Sequence, residues 1–342
     1  MSCREILRKL TSVRGVSGHE QEVAAVFCEL TSPYAERLRT DVLGSVSGSV
    51  NSGGSPRILL ECHLDEVGYI VRYISPDGLI YLQPSGTQSL DAAIAQRALV
   101  KTEHGPVYGV IGTKPRHLLS AQELTQKPGI TEIWLDIGAG SAEEVRQRVD
   151  LGDPVSLVSE FYDLGARVSA PALDNRAGMT AVVESAAQLS GEKLKAEVSF
   201  LAAVQEEIGM RGAEAASVKL CPDIALVLDV CHTSDTPGID KRVLGDVRLG
   251  GGPVLVRGPN TDYKTFRRLK DAAAEADIPV QIQASAGVTS TDAAFMQVSG
   301  GGTASGIIAL PIRYMHTPNE ILEWNDLENA VKLIKQFILS FN

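Results

Sequence analysis

The sequence predicts an α/β protein, a mixed sheet covered by helices, with an inserted β-rich, barrel-like module. Apolar strand-like runs alternate with amphipathic helical stretches near the start of the chain and again after about residue 164, the pattern of a helix-covered sheet. Between residues 67 and 164, short apolar runs broken by Pro and Gly read as a strand-rich unit. At 342 residues and 44% hydrophobic, the chain can bury a large core, and its length favours more than one domain. We therefore expect residues 1–66 and 165–342 to form one α/β domain, with 67–164 inserted into it.

The N-terminus enters a mixed-charge helical pattern without a secretory signal, so a cytoplasmic protein is expected. Ser17-Gly18-His19-Glu20 predicts a capped helix whose apolar stripe is Val23, Val26, Phe27 and Leu30. The Gly/Ser stretch from Gly44 to Ser55 reads as strand, turn and strand, and Arg57 to Cys62 as a strand delivering His63-Leu64-Asp65 to its end. In the insert, Tyr69 to Ile74, Leu79 to Leu82, Val107 to Ile111 and Ile133 to Ile137 read as strands, and Ser141-x-x-Glu144 caps a helix running to Val149. Beyond it come helices from Ala177 to Leu189 and from about Asp262 to Glu275. Strands are expected at Val198 to Val204, Ile224 to Val230 and Ser305 to Leu310. A last helix runs from Asp326 to Phe341 with Asn325 as its expected cap.

Charge and composition exclude several classes of function. There are 32 Lys plus Arg against 42 Asp plus Glu, a net charge of -10, and no basic block, which argues against a nucleic-acid partner. No window approaches the ~20 apolar residues of a membrane span. The five cysteines are odd in number and form no Cys-x-x-Cys unit, so neither a disulfide framework nor a structural zinc knot is expected. Cys62 and Cys231 read as small buried residues.

Polar ligand types follow the apolar runs at five places: His63-Leu64-Asp65, Asp174-Asn175-Arg176, Glu206-Glu207, Asp229 with nearby His232 and Asp235, and His316-Thr317-Pro318. Each alone reads more simply as a turn or a hydrogen-bonded core residue. Together they sit where open α/β sheets bind ligands, and so many acids behind buried strands would be costly unless paired or metal-bound. His63-x-Asp65 suits an imidazole ligand oriented by a carboxylate, although Asp65 fits an ordinary turn equally well.

The runs Cys62 to Gly68, Ala172 to Gly178, Gln205 to Ala213, Asp229 through Asp235 to Gly238, and Arg313 to Pro318 resemble, in order and spacing, the tetrahedral aminopeptidases. That family includes glutamyl aminopeptidases and relatives once labelled CelM-type endoglucanases. The resemblance covers nearly the whole chain. It implies a dinuclear zinc or cobalt exopeptidase acting on short peptides with a free N-terminus. Asp174 would bridge the two divalent ions, His63 and Asp229 would complete one, Glu207 and His316 the other. Asp65 would orient His63 and Glu206 would be the general base. The resemblance also implies that the insert is a dimerisation domain and that dimers assemble into twelve-subunit tetrahedra.

Other readings remain open. The same metal pair could serve a deacylase or deblocking amidohydrolase. A non-catalytic assembly or binding protein would make its important contacts through the insert. A glycosidase could use paired acids but leaves His63 and His316 without purpose.

Overall fold

The computed structural model describes residues 1–342. Its main sheet has 11 strands, and its centre is four mutually parallel ones: Glu197–Ala203, Arg57–His63, Ile224–His232 and Ala304–Arg313. Antiparallel neighbours extend both sides, Val46–Asn51 and Glu36–Thr40 on one, Glu320–Glu323, Arg167–Ala170 and Tyr162–Asp163 on the other. A parallel strand must be covered on both faces, which is why Ile58-Leu59-Leu60 and Ala225 to Leu228 are continuous apolar runs rather than alternating ones.

The pleat sorts these residues between two layers. Ile58, Leu60 and Cys62 join a core with Leu7, Val23, Val182 and Ile334 of the helices Cys3–Leu10, Gln21–Thr31, Leu173–Leu189 and Trp324–Leu339. Leu59, Leu201, Val227 and Ile307 pack the other face against the helices Arg211–Leu220 and Ala293–Met296. Phe27 meets Phe200 edge to face, with ring centroids 5.8 Å apart. A buried aromatic of this kind contributes roughly 1.5–3 kcal/mol through removal from water. Gly48 lies under the Phe200 ring, where a Cβ would come within 2.6 Å of the ring edge, so the strand can pass only as glycine.

The insert is a closed barrel of six strands in the order Gly68–Ile74, Ile80–Ser85, Ile133–Asp136, Gly105–Thr113, Arg97–Thr102 and Pro154–Leu157. Its interior is filled by Tyr69, Val71, Ile80, Val100, Ile111, Leu135 and Val155. The Ser141 cap forms, its hydroxyl accepting from Glu144 N–H, but the helix is only Ala142–Arg146. No helix of the chain is long and apolar enough to cross a membrane.

Three local expectations are corrected. The helix expected from Ser17 begins at Gln21, because the Ser17 hydroxyl donates to Asp65 at 2.7 Å instead of capping. The final helix starts at Trp324, one residue before Asn325, so Asn325 is not its cap. The stretch after Gly44 holds the single strand Val46–Asn51. It does not pair with Arg57–His63, since Glu197–Ala203 lies between them.

Candidate metal centre

The C-terminal ends of the parallel strands place the ligand candidates on one edge. His63 ends its own strand, Glu206 and Glu207 follow Ala203, Asp229 lies near the end of Ile224–His232, and His316 follows Arg313. Asp174 comes from the turn that opens the helix Leu173–Leu189, where the Asp174–Asn175 peptide is cis. Asn175 fixes that turn, accepting from Gly178 N–H at 2.9 Å and donating to the Leu228 carbonyl at 2.8 Å. Gly178 permits the approach, since a Cβ there would stand 2.7 Å from the same carbonyl. Arg176, fully buried, donates to the carbonyls of Leu10 and Leu64, tying the turn to the His63–Asp65 strand end.

Asp174 lies between two histidines. Its Oδ1 is 3.0 Å from His63 Nε2 and its Oδ2 is 3.1 Å from His316 Nε2. Asp229 Oδ1 stands 3.8 Å from the same His63 nitrogen, and Glu207 Oε1 stands 3.3 Å from His316 Nε2. The ligand atoms of His63, Asp174 and Asp229 converge within 4.8 Å, as do those of Asp174, Glu207 and His316. Two three-residue sets that share one carboxylate have the donor chemistry of a dinuclear divalent-metal site, with imidazole nitrogens and carboxylate oxygens on each side and room for a further ligand. His63, Glu206 and Glu207 also converge within that distance, which puts Glu206 at the edge of the same site.

Electrostatics describe a cluster short of cations. Burial, followed by the charges of His63 and Asp229 with opposite effects, leaves Glu206 pushed up to about 10. Burial also raises Glu207 and Asp229. For Asp174 burial pushes upward, but hydrogen bonds with His316 and His63 outweigh it and hold the carboxyl well below its usual range. Both imidazoles show the reverse: burial pulls down, and Asp174 outweighs it, taking His316 up to about 11 and His63 well above its ordinary value.

Around the ligands stands a layer of side chains bonded to backbone. Asp65, fully buried, accepts from Ser17 Oγ, from Glu206 N–H at 2.9 Å and from Glu207 N–H at 3.1 Å. Its carboxylate is 3.4 Å from His63 Nδ1, farther than its own backbone carbonyl at 3.2 Å, so both parts of Asp65 face the ring. Glu20 accepts from Gln205 N–H at 3.1 Å. Glu320 accepts from the N–H of Asp174 and of His316. Ala172, Gln205, Met210, Tyr314 and His316 are all left-handed non-glycine residues in or beside the ligand loops. Such conformations cost on the order of 1–3 kcal/mol each and persist only where surrounding bonds hold them.

The other sequence candidates lie outside the two sets. Asp235 forms a two-pronged pair with Arg313, at 2.7 and 3.1 Å, and His232 is exposed at its strand end. Cys62 turns into the opposite core layer, and burial raises both its thiol and that of Cys231, which makes thiolate scarce at either. Glu20, Glu320 and the pair Glu61 and Asp292 escaped the sequence reading. Glu61 and Asp292 are each only 1% exposed and no N–H reaches Glu61 Oε1 or either Asp292 oxygen. Burial drives Glu61 up to about 8, and burial together with the charge of Glu61 drives Asp292 well above its usual value.

A shallow cleft lined by Val67, Gln88, Ser156, Asp174, His316 and Pro318 opens onto this centre between the sheet edge and the barrel. A much larger hollow of about 810 Å³ lies on the barrel around Thr113, Arg116, Leu124 and Trp134, and holds none of the ligand candidates. Size alone would favour the hollow; the convergence of buried ligand atoms places the chemistry in the cleft.

A family model described as M42 glutamyl aminopeptidase matches residues 44–333. The chain is 33% identical to a lysyl aminopeptidase of Pyrococcus furiosus, over 98% of this chain and 96% of the relative. Among solved structures it is similar to a TET aminopeptidase from a marine sediment Thaumarchaeota archaeon, with TM-score 0.93, 33% identity and coverage of 98% and 95%. It is also similar to a Pyrococcus horikoshii TET1 peptidase described as assembling into a tetrahedron or a large octahedral shell, with TM-score 0.87, 30% identity and coverage of 98% and 99%.

Proposed function

Since the chain belongs to the M42 glutamyl aminopeptidase family, whose chemistry is metal-dependent removal of N-terminal residues, we propose how its own residues divide that work. The observation that carries the reading is Asp174, with one carboxylate oxygen turned to His63 and the other to His316. Asp174 would bridge two divalent ions, zinc or cobalt. His63 and Asp229 would complete one site and Glu207 and His316 the other. Bound there, the ions supply Lewis acidity toward the peptide carbonyl and toward water, and positive charge that lowers Glu206 back toward the carboxylate range.

Glu206 then acts as the general base and, once protonated, as the acid that donates to the departing amine. Its position suits this role: the carboxyl is buried and makes no hydrogen bond of its own, while Asp65 fixes its backbone. No serine or cysteine nucleophile is required. The acids around the cleft favour a substrate carrying a free, positively charged N-terminus over an acylated one. A kinetic panel of aminoacyl substrates, each also supplied N-acetylated, tests this. Selective loss of turnover on acetylation is expected, and preference for the blocked forms would point to the deacylase reading.

In the same proposal residues 67–164 form an inserted dimerisation domain, and dimers of this cytoplasmic protein build a twelve-subunit tetrahedron. Support comes from the separately packed barrel core and from the assembly described for the Pyrococcus horikoshii relative. Mass measurement in solution with and without zinc tests the assembly, and elemental analysis of the purified protein tests the metal.

A further inference from the structure

Glu320 opens the strand Glu320–Glu323, directly opposite Ala170 in register, and is 2% exposed. Its two carboxylate oxygens are divided between two loops. Oε2 accepts from Asp174 N–H at 3.0 Å and Oε1 from His316 N–H at 2.7 Å. Both loops hold left-handed non-glycine backbone, at Ala172 on one and at Tyr314 and His316 on the other. A carboxylate can receive two N–H donors at once, whereas an amide of the same size offers one acceptor and one donor. Losing one bond frees the backbone of a ligand without removing the ligand.

Both residues so held belong to the set Asp174, Glu207 and His316, and only the shared Asp174 belongs to the other set as well. The set containing His63 and Asp229 is supported elsewhere: Asp65 faces the His63 ring, and the Asp229 carboxylate accepts from the N–H of Val230. We infer that Glu320 is a positioning residue chiefly for the ion held by Asp174, Glu207 and His316, two of whose three ligands it holds, and that its loss weakens this ion selectively while the other stays bound. The inference rests on the two-ion reading above.

Metal-stripped wild type and Glu320→Gln are reloaded with zinc, dialysed and counted by elemental analysis, with affinities from chelator competition. Two ions per chain are expected in wild type. In the variant one ion is expected to remain, with the other bound about 10–100-fold more weakly, the scale for losing a partner that orients a ligand. Site identity comes from pairing the variant with a ligand loss: Glu320→Gln with His316→Ala should still hold one ion, while Glu320→Gln with His63→Ala should hold none. A Glu320→Gln protein with two ions at wild-type affinity overturns the inference, as does loss of both ions from the first double variant. Fewer than two ions in wild type would instead count against the dinuclear reading itself. Circular dichroism of the stripped proteins separates loss of an ion from loss of fold. Glu320→Asp, which keeps the charge but is too short to reach both N–H groups, should show the same selective weakening should Glu320→Gln fail to fold.

Discussion

The carboxylate of Asp65 accepts the backbone N–H of Glu206 at 2.9 Å while lying 3.4 Å from the His63 ring. A residue read from sequence as the orienter of one metal ligand therefore also fixes the backbone of the expected general base. Asp65→Asn keeps the volume but offers one acceptor oxygen where Asp65 now receives Glu206 N–H, Glu207 N–H and the Ser17 hydroxyl. The expected outcome is a double defect: metal affinity weaker by about 10–100-fold and kcat lower even at saturating metal. A variant whose kcat recovers fully in excess zinc would confine Asp65 to the ligand role.

Glu206→Gln separates catalysis from metal binding. The side chain belongs to neither of the two sets that share Asp174, so both ions should stay bound. Turnover should fall by roughly 100-fold or more, the scale of lost acid–base assistance. Elemental analysis alongside steady-state kinetics checks both halves, and near-normal kcat would remove Glu206 from the general-base role.

Much of this arrangement was legible in the sequence because its signals are local. His63, Glu206-Glu207, Asp229 and His316 each follow an apolar run that had to be a buried strand, and parallel topology then gathers their ends on one edge. The resemblance supplied what spacing alone could not, namely which carboxylate is shared. Asp65 apart, the supporting residues were not legible. Glu320 reaches Asp174 across 146 positions and Glu20 reaches Gln205 across 185, and a carboxylate that accepts from distant backbone leaves no local pattern. Ser17 and Glu20 did have a pattern, that of a reciprocal cap, but both side chains are committed to bonds at the site. The same competition, local capping against distant backbone, explains why that helix starts at Gln21.

Asp174 distinguishes a bridged pair from two independent sites. Asp174→Asn removes the charge facing both histidines, and both ions should be lost or greatly weakened together. His316→Ala, by contrast, touches one set only and should leave one ion. Retention of a single tightly held ion in Asp174→Asn would mean that the carboxylate serves one site rather than two.

The histidines predict a pH dependence with a definite sign. In the metal-free protein burial pulls His316 and His63 down, but bonding to Asp174 more than compensates, raising His316 to about 11 and His63 well above 6.5. A raised folded-state value means stability that is fully present below the unfolded value of 6.5 and lost as pH rises through about 11 for His316. The metal-free protein should therefore show a falling melting temperature on the alkaline side, approaching pH 11. Metal ligation needs neutral imidazole, so each ion must displace at least one proton near neutral pH. Affinity should then rise about tenfold per pH unit for each proton released. Zinc titration calorimetry at pH 7 in two buffers of different ionisation enthalpy measures that release directly. Equal heats in both buffers would mean that the histidines are already neutral before metal arrives, and that the charge of Asp174 is balanced by another group.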